Sequence, residues 1–250
     1  MLTPKCKTGN IVLEPLAPET DALLAGTIGQ LGYPGAEAVT DKIWPQIHGG
    51  IKTCLELARP KTLCRSTPFR ALEKKAIRGN GLLLETVNWT RLAARMSGIC
   101  ELCCFAVTLG PDIDKVIKDL SPTDMVRAFM LDAAASILAE QYADQVHRQV
   151  RRHYEQAGVE ASARFSPGYC DWPIAMGQAA IFAFLEPEAI GIHAASTGLM
   201  KPRKSVTAAV IAAKAMPEQS PCFLCARKCA HRRAPYAETE TSRSEGSMQS

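Results

Sequence analysis

The chain lacks any uninterrupted apolar run approaching the roughly 18 residues that a membrane-spanning helix needs, so no transmembrane segment is expected. Its opening, MLTPKCKTGNIVLEPLAPET, lacks the basic stretch followed by an apolar one that marks an export signal. Charge of one sign is scarce too: the formal net charge is +4 and dispersed. The densest basic spots, RQVRRH and HRR, are short and lack interleaved aromatics, so they read as solvated surface rather than a nucleic-acid site. No internal repeat is visible. These absences point away from membrane and nucleic-acid partners, and a cytoplasmic globular protein is expected. With 250 residues, 47% of them hydrophobic and 22% charged, the chain is long enough to bury a substantial core.

Cysteine, in contrast, is plentiful, at ten residues. In a reducing compartment clustered thiols more often hold metal or do redox work than form disulfides. Cys222, Cys225 and Cys229 form a C-x2-C-x3-C array, and His231 follows two residues later. Such spacing brings three thiolates within reach of one centre, and thiolates suit an iron–sulfur cluster or zinc. A fourth ligand must come from elsewhere: Cys170 in GYCDWP, His231, or a water or substrate molecule. A second dense group is Cys100, Cys103 and Cys104; the last two lie in the apolar run LCCFAVTLGP (102–111), which reads as a buried strand. Neighbours on a strand point to opposite faces, so Cys103 and Cys104 are expected to be core thiols.

The clearest helical pattern covers about 122–156, with Ser121 as N-cap, Pro122 in the first helical position and Gly158 as the stop. Met125, Phe129, Ala133 and Ile137 make one apolar row; Leu138, Tyr142, Val146, Val150 and Tyr154 make another. Glu140, Asp144, His147 and Arg151 line up as a solvated, salt-bridged stripe. An earlier helix is expected from Asp41, although Pro45 and Gly49–Gly50 interrupt it, and another spans Ile174–Glu186. KSVTAAVIAA reads as a strand or a short buried helix. The organisation expected is α+β. An N-terminal segment, 1–80, belongs to the same domain or forms its own lobe; a core covers 81–215, a cysteine-rich metal-binding segment 216–234 and a polar, disordered tail 235–250.

Four stretches in order, VTLGPDID (107–114), LAEQYADQVHRQVR (138–151), RFSPGYCDWP (164–173) and IGIHAASTGLMKPRKSVTA (190–208), resemble the activation domain of cobalamin-dependent methionine synthase, in its free-standing form. The resemblance implies a C-shaped domain with a twisted antiparallel sheet flanked by helices. It implies S-adenosylmethionine in a shallow groove, and a corrinoid protein or cobalamin-dependent methyltransferase as partner, whose oxidised cobalt is reductively methylated. The family's Arg-x-x-x-Gly-Tyr motif falls on Arg164, Gly168 and Tyr169, with Ser166 in the same loop, and its helix glutamate falls on Glu140. No D-x-H-x-x-G motif is present, so the cobalamin is expected on the partner.

These residue types suit that ligand. Arg164 offers a two-pronged hold on a carboxylate. Pro167 stiffens the loop and Gly168 lets backbone approach closely. Tyr169 presents a π face to the sulfonium, worth ~0.5–2 kcal/mol, and Glu140 faces the ammonium. The plainer alternative makes the loop a mere turn, with Arg164 paired to Glu140 and Tyr169 in the core. No catalytic acid or base is expected: the sulfonium is already a good leaving group, and the protein's part is alignment. Two rival functions stay open: an iron–sulfur electron-transfer protein that does not bind S-adenosylmethionine, and a non-enzymatic partner-binding subunit with a zinc-fixed tail.

Overall fold

The computed structural model describes residues 9–217, 220–229 and 235–236. Of the disordered tail expected over 235–250, all but residues 235–236 lies outside these residues, as does His231.

Two long strands make the spine. β1 (Gly9–Asn10), α1 (Thr20–Gln30) and α2 (Trp44–Leu57) lead into the first of them, β2 (Lys61–Leu72). After β3 (Ala76–Gly79), β4 (Leu82–Glu85) and α3 (Val87–Ala93) comes β5 (Ser97–Thr108). α4 (Asp112–Leu120), α5 (Met125–Gln156), β6 (Glu160–Ala161) and α6 (Ile174–Leu185) follow. A hairpin of β7 (His193–Ala194) and β8 (Met200–Lys201) precedes β9 (Ser205–Ala215). The main sheet runs β4-β3-β2-β5-β9-β6, with β1 beside β2, and every pairing is antiparallel. Because β2 pairs with β5 from Lys61↔Thr108 to Pro68↔Glu101, the N-terminal part of the chain is built into this sheet.

β5 and β9 explain why the apolar runs show no alternation. Each is covered on both faces, so both sets of side chains are buried. Cys103, Phe105, Val107, Ala208, Val210 and Ala212 face a core shared with α4 and α5. Leu102, Cys104, Ala106, Ala209, Ile211 and Ala213 face the opposite core, with Trp89, Trp172 and Ile181. Cys103 and Cys104 thus separate to the two sides, as alternation demands, and both are fully buried. KSVTAAVIAA is a strand; its alanines leave room for helices on either side.

The long helix starts later than expected. Asp124 is its cap, accepting from the Arg127 N–H at 3.1 Å. Ser121 instead closes α4, a helix the sequence reading missed, and donates its hydroxyl to the Ile117 carbonyl at 2.7 Å. The row Leu138, Tyr142, Val146, Val150 and Tyr154 is buried, whereas Met125 and Phe129 of the other row are exposed. Asp41 does not cap α2: the helix begins at Trp44 with Pro45 in its first turn, where a missing N–H costs nothing. Gly50 is needed there, because a Cβ on it would lie 2.9 Å from the Met130 backbone of α5.

Candidate functional site

The stretch from Ser162 to Trp172 runs beside β9 and then knots. Phe165 exchanges both backbone hydrogen bonds with Ala209, at 2.9 Å each. Its ring stacks on Trp172 with centroids 5.3 Å apart, and Trp89 meets it edge-on at 5.0 Å. Gly168 takes φ +94°, a region open to glycine, and its N–H donates to the Trp172 carbonyl at 2.8 Å. Tyr169 and Trp172 close two further turns, onto the Ser166 carbonyl at 3.1 Å and the Tyr169 carbonyl at 3.0 Å. Asp171 was not singled out from the sequence, yet it fixes the knot from outside. It accepts from the Thr86 hydroxyl at 2.7 Å and from the Val87 and Asn88 N–H groups at 2.6 and 3.1 Å. Those donors are the start of α3, so the loop's carboxylate satisfies a neighbouring helix's open amides.

Side chains alternate along the extended part. Phe165 goes to the aromatic core, while Arg164 and Ser166 take the other side, toward α5. There Arg164 Nε donates to Asp144 Oδ1 at 2.8 Å and Nη2 donates to Glu140 Oε2. The guanidinium is fully covered, and the two carboxylates are about half exposed. Burial alone would lower the Arg164 pKa, but the charges of Glu140 and Asp144 outweigh it and the net shift is upward. The expected solvated stripe on α5 is therefore a clamp: Glu140 and Asp144 lock Arg164. His147 meets the Ser162 carbonyl through Nε2 at 2.8 Å, and Arg151 pairs with Glu155 at 3.9 Å.

His147 is held neutral. Burial, helped by the Arg164 and Arg151 charges, pushes its pKa down to about 4. An unfolded chain would take up that proton near pH 6.5, the folded one only near 4, so the folded state loses stability as pH falls through this window. We expect unfolding free energy to drop by roughly 2 kcal/mol from pH 7 to pH 4 through this residue. Denaturant curves of the wild type and of His147→Gln, compared across those pH values, measure it as the difference between the two slopes.

Beside the clamp lies a groove of about 620 Å³, lined by Gln30, Ser136, Glu140, Tyr169, Lys204 and Ser205 among others. Of the expected ligand residues, Glu140 and Tyr169 face it directly. Arg164 and Ser166 are buried and do not line it, and Gly168 is exposed at the turn. Arg164 Nη1 and Ser166 Oγ are buried and have no hydrogen-bond partner among the described residues. Lys204 is a groove residue that the reading of MKPRKS passed over. It is 6% exposed, and its Nζ donates to Asp132 Oδ1 at 2.8 Å and Ser136 Oγ at 2.9 Å. The helix thus offers Asp132, Ser136, Glu140 and Asp144 at four-residue steps, met by one buried cation at each end. A clue existed in the sequence: a lysine directly before a β-branched, alanine-rich strand has few ways to be exposed. A second groove, of about 610 Å³ near Asp114, Lys118 and His193, shares Arg203 with this one but holds none of the expected ligand residues.

The cysteine array sits on the same face of the molecule as the knot. Cys170, at φ +49°, has its thiol within hydrogen-bonding reach of both Cys225 and Cys222. Burial first, then these two neighbours, raise its pKa and keep it protonated. Cys225 is buried and Cys222 half-buried, but Cys229 is exposed. The four-ligand grouping read from the sequence is not assembled as such. Cys170 meets Cys222 and Cys225, Cys229 stands off, and among the described residues no group of three or more His, Cys, Asp or Glu is placed, as it stands, to hold a metal ion.

Comparison with known proteins matches this arrangement. A structure search finds the MetH reactivation domain crystallised with AdoHcy, at TM-score 0.57 and 16% sequence identity, covering 86% of this chain and 79% of that one. That level of identity speaks for the fold: an antiparallel sheet flanked by helices, with one long helix. A search of curated proteins finds no match. The model of one family matches residues 92–238, more than half of the chain, and takes in α5, the knot and the cysteine array. The chain belongs to the family of vitamin B12-dependent methionine synthase activation domains.

Proposed function

We propose that this chain reactivates a corrinoid-carrying methyltransferase partner by binding S-adenosylmethionine in the Tyr169 groove and presenting its methyl group to the partner's cobalt. The observation that carries the reading is the pair of buried donors without partners among the described residues, Arg164 Nη1 and Ser166 Oγ, in the same loop as Tyr169, which lines the groove with Glu140. Buried polar groups are rarely left unmatched unless something else completes them.

Charge suits a ligand of mixed sign. Lys204 and Arg164 supply positive potential for the carboxylate of the amino-acid end, and Glu140 supplies a partner for its ammonium. Tyr169 offers its ring to the sulfonium. In the reaction, a reductant first gives one electron to the partner's Co(II). The resulting Co(I) donates its electron pair to the methyl carbon, the S–CH3 bond breaks, and S-adenosylhomocysteine leaves as a neutral thioether. No proton moves, so this chain needs only to orient the donor. It holds the methyl outward and keeps the amino-acid end anchored at the α5 clamp.

Incubation with an oxidised corrinoid protein, a low-potential reductant and methyl-labelled S-adenosylmethionine should transfer label to the corrinoid. Calorimetry showing no binding of S-adenosylmethionine would overturn the reading and leave the electron-transfer alternative.

The sulfonium contact gives a sharper test. Tyr169→Leu removes a π face worth ~0.5–2 kcal/mol, so S-adenosylmethionine should bind about 2- to 30-fold more weakly. S-adenosylhomocysteine has no sulfonium charge and should lose far less. The ratio of the two affinities, measured by calorimetry on both proteins, isolates the cation from the rest of the ligand.

A further inference from the structure

Among the described cysteines, two groupings differ in kind. Cys64 and Cys103 touch at 3.3 Å but are sealed in the core between strands, at 2% and 0% exposure. Cys170, Cys222 and Cys225 come from distant parts of the chain and meet at the edge of the fold, where Cys170 and Cys222 are only half-buried.

Each side of this meeting is held by its own scaffold. Cys170 adopts the left-handed conformation, costly for a residue with a side chain, and it is kept there by the turn bonds around Tyr169–Trp172 and by the Asp171 bracket on α3. The C-terminal segment is seated independently. Ser220 caps a 3-10 turn spanning Pro221–Leu224, Leu224 enters the aromatic core, and the Arg95 guanidinium lies over the Phe223 ring at 5.7 Å. In that turn the Cys225 N–H donates to the Cys222 carbonyl at 3.2 Å. Residues three apart in a 3-10 turn are eclipsed, so both thiols issue from one edge, toward Cys170. Cys229 follows four residues later and is exposed, free of the core.

We propose that Cys170, Cys222 and Cys225, closed by Cys229, form an all-sulfur site for a thiophilic metal: a zinc ion or an iron–sulfur cluster. The Cys170 thiol now stands beside those of Cys222 and Cys225. A metal would displace one proton from each as its sulfur becomes a ligand, and would draw Cys229 in from solvent. Soft thiolates select these centres over hard, oxygen-seeking cations. Because Tyr169 of the groove directly precedes Cys170, such a centre would fix the geometry of the ligand loop. In its iron–sulfur form it would also lie close to where an electron is consumed. The site does not depend on the groove's ligand, and the two are measured separately.

The full chain, purified without oxygen, should carry one metal centre per molecule: either zinc near one equivalent, or iron with acid-labile sulfide and a visible absorption band. The sulfide decides between the two, and either supports the site. Chain stripped by a chelator and titrated with Co2+ as a probe should show sulfur-to-cobalt charge-transfer absorption and release about three protons or more per ion. Alkylation mapped by mass spectrometry should find Cys170, Cys222, Cys225 and Cys229 protected by Zn2+, with Cys100 unprotected. Cys170→Ser should weaken Co2+ binding by tenfold or more, while Cys100→Ser leaves it unchanged. No metal and no Co2+ band would overturn the proposal. So would protection confined to Cys222, Cys225 and Cys229, because Cys170 would then be no ligand; this readout needs no variant to fold.

Discussion

Trp172→Ala should unfold the ligand loop and cost the whole domain about 3–5 kcal/mol, the range for removing a large buried aromatic. The indole is 2% exposed and sits at the centre of three interactions. It stacks on Phe165 and approaches Trp89 at 5.9 Å, and its own backbone closes the turns around Gly168 and Tyr169. It also packs so closely on α6 that a Cβ on Gly177 would stand 2.8 Å from its ring. The void left by alanine is bounded by the sheet on one side and α6 on the other, neither free to collapse into it. Thermal unfolding should therefore shift by several degrees to ten or more. Affinity for S-adenosylmethionine should fall with it, because Tyr169 would lose the turn that aims it. Trp172→Phe keeps a stacked ring, and should recover most of the binding and about half of the lost stability. If Trp172→Ala bound the ligand normally, the aromatic trio would not be what positions the loop.

The parts of this molecule legible in the sequence are those with a strong local pattern. α5 was visible from its apolar row Leu138 to Tyr154, since one buried face repeats at the helical period. β5 was visible as an unbroken apolar run ending in Gly-Pro. α4 was missed because its apolar set is short, Ile113 and Ile117, and it is surrounded by charge. The boundary at Asp124 was placed at Ser121 because both residue types cap helices, and only the turn after α4 decides which one does. In the candidate site, the sequence singled out the Arg-x-x-x-Gly-Tyr loop and Glu140, and its plainer alternative paired Arg164 with Glu140 as the structure does, but the locking of Arg164 by Asp144 was not read. On the sequence Asp144 belongs to an ordinary i, i+4 charge stripe, and only the extended segment after β6, which brings Arg164 against the helix, converts that stripe into a clamp. Lys204 and Asp171 are tertiary choices of the same sort. Each is one polar residue whose partner lies some 70 to 90 positions away.

Arg164→Met is the second substitution expected to have a large effect, and it separates two roles that the arginine carries at once. Its side chain is fully covered while Glu140 and Asp144 are 43% and 45% exposed, so the two carboxylates left behind would partly rehydrate. Breaking a fully buried pair costs about 3–5 kcal/mol; with half-exposed partners we expect roughly 2–3 kcal/mol. Methionine fills much of the aliphatic volume, which keeps a cavity from adding to this. Arg164→Lys retains the charge but has no fork with which to meet Glu140 and Asp144 together, so it should lie between the wild type and methionine in stability. Binding should not follow the same order if Arg164 Nη1 takes part in holding the ligand. Lysine would then bind S-adenosylmethionine nearly as poorly as methionine, more than tenfold below the wild type, because that donor is gone in both. If lysine instead restored binding in step with stability, Arg164 would act only by fixing Glu140, and the carboxylate end of the ligand would rest on Lys204. Chemical denaturation and calorimetry on the same three proteins read the two roles independently.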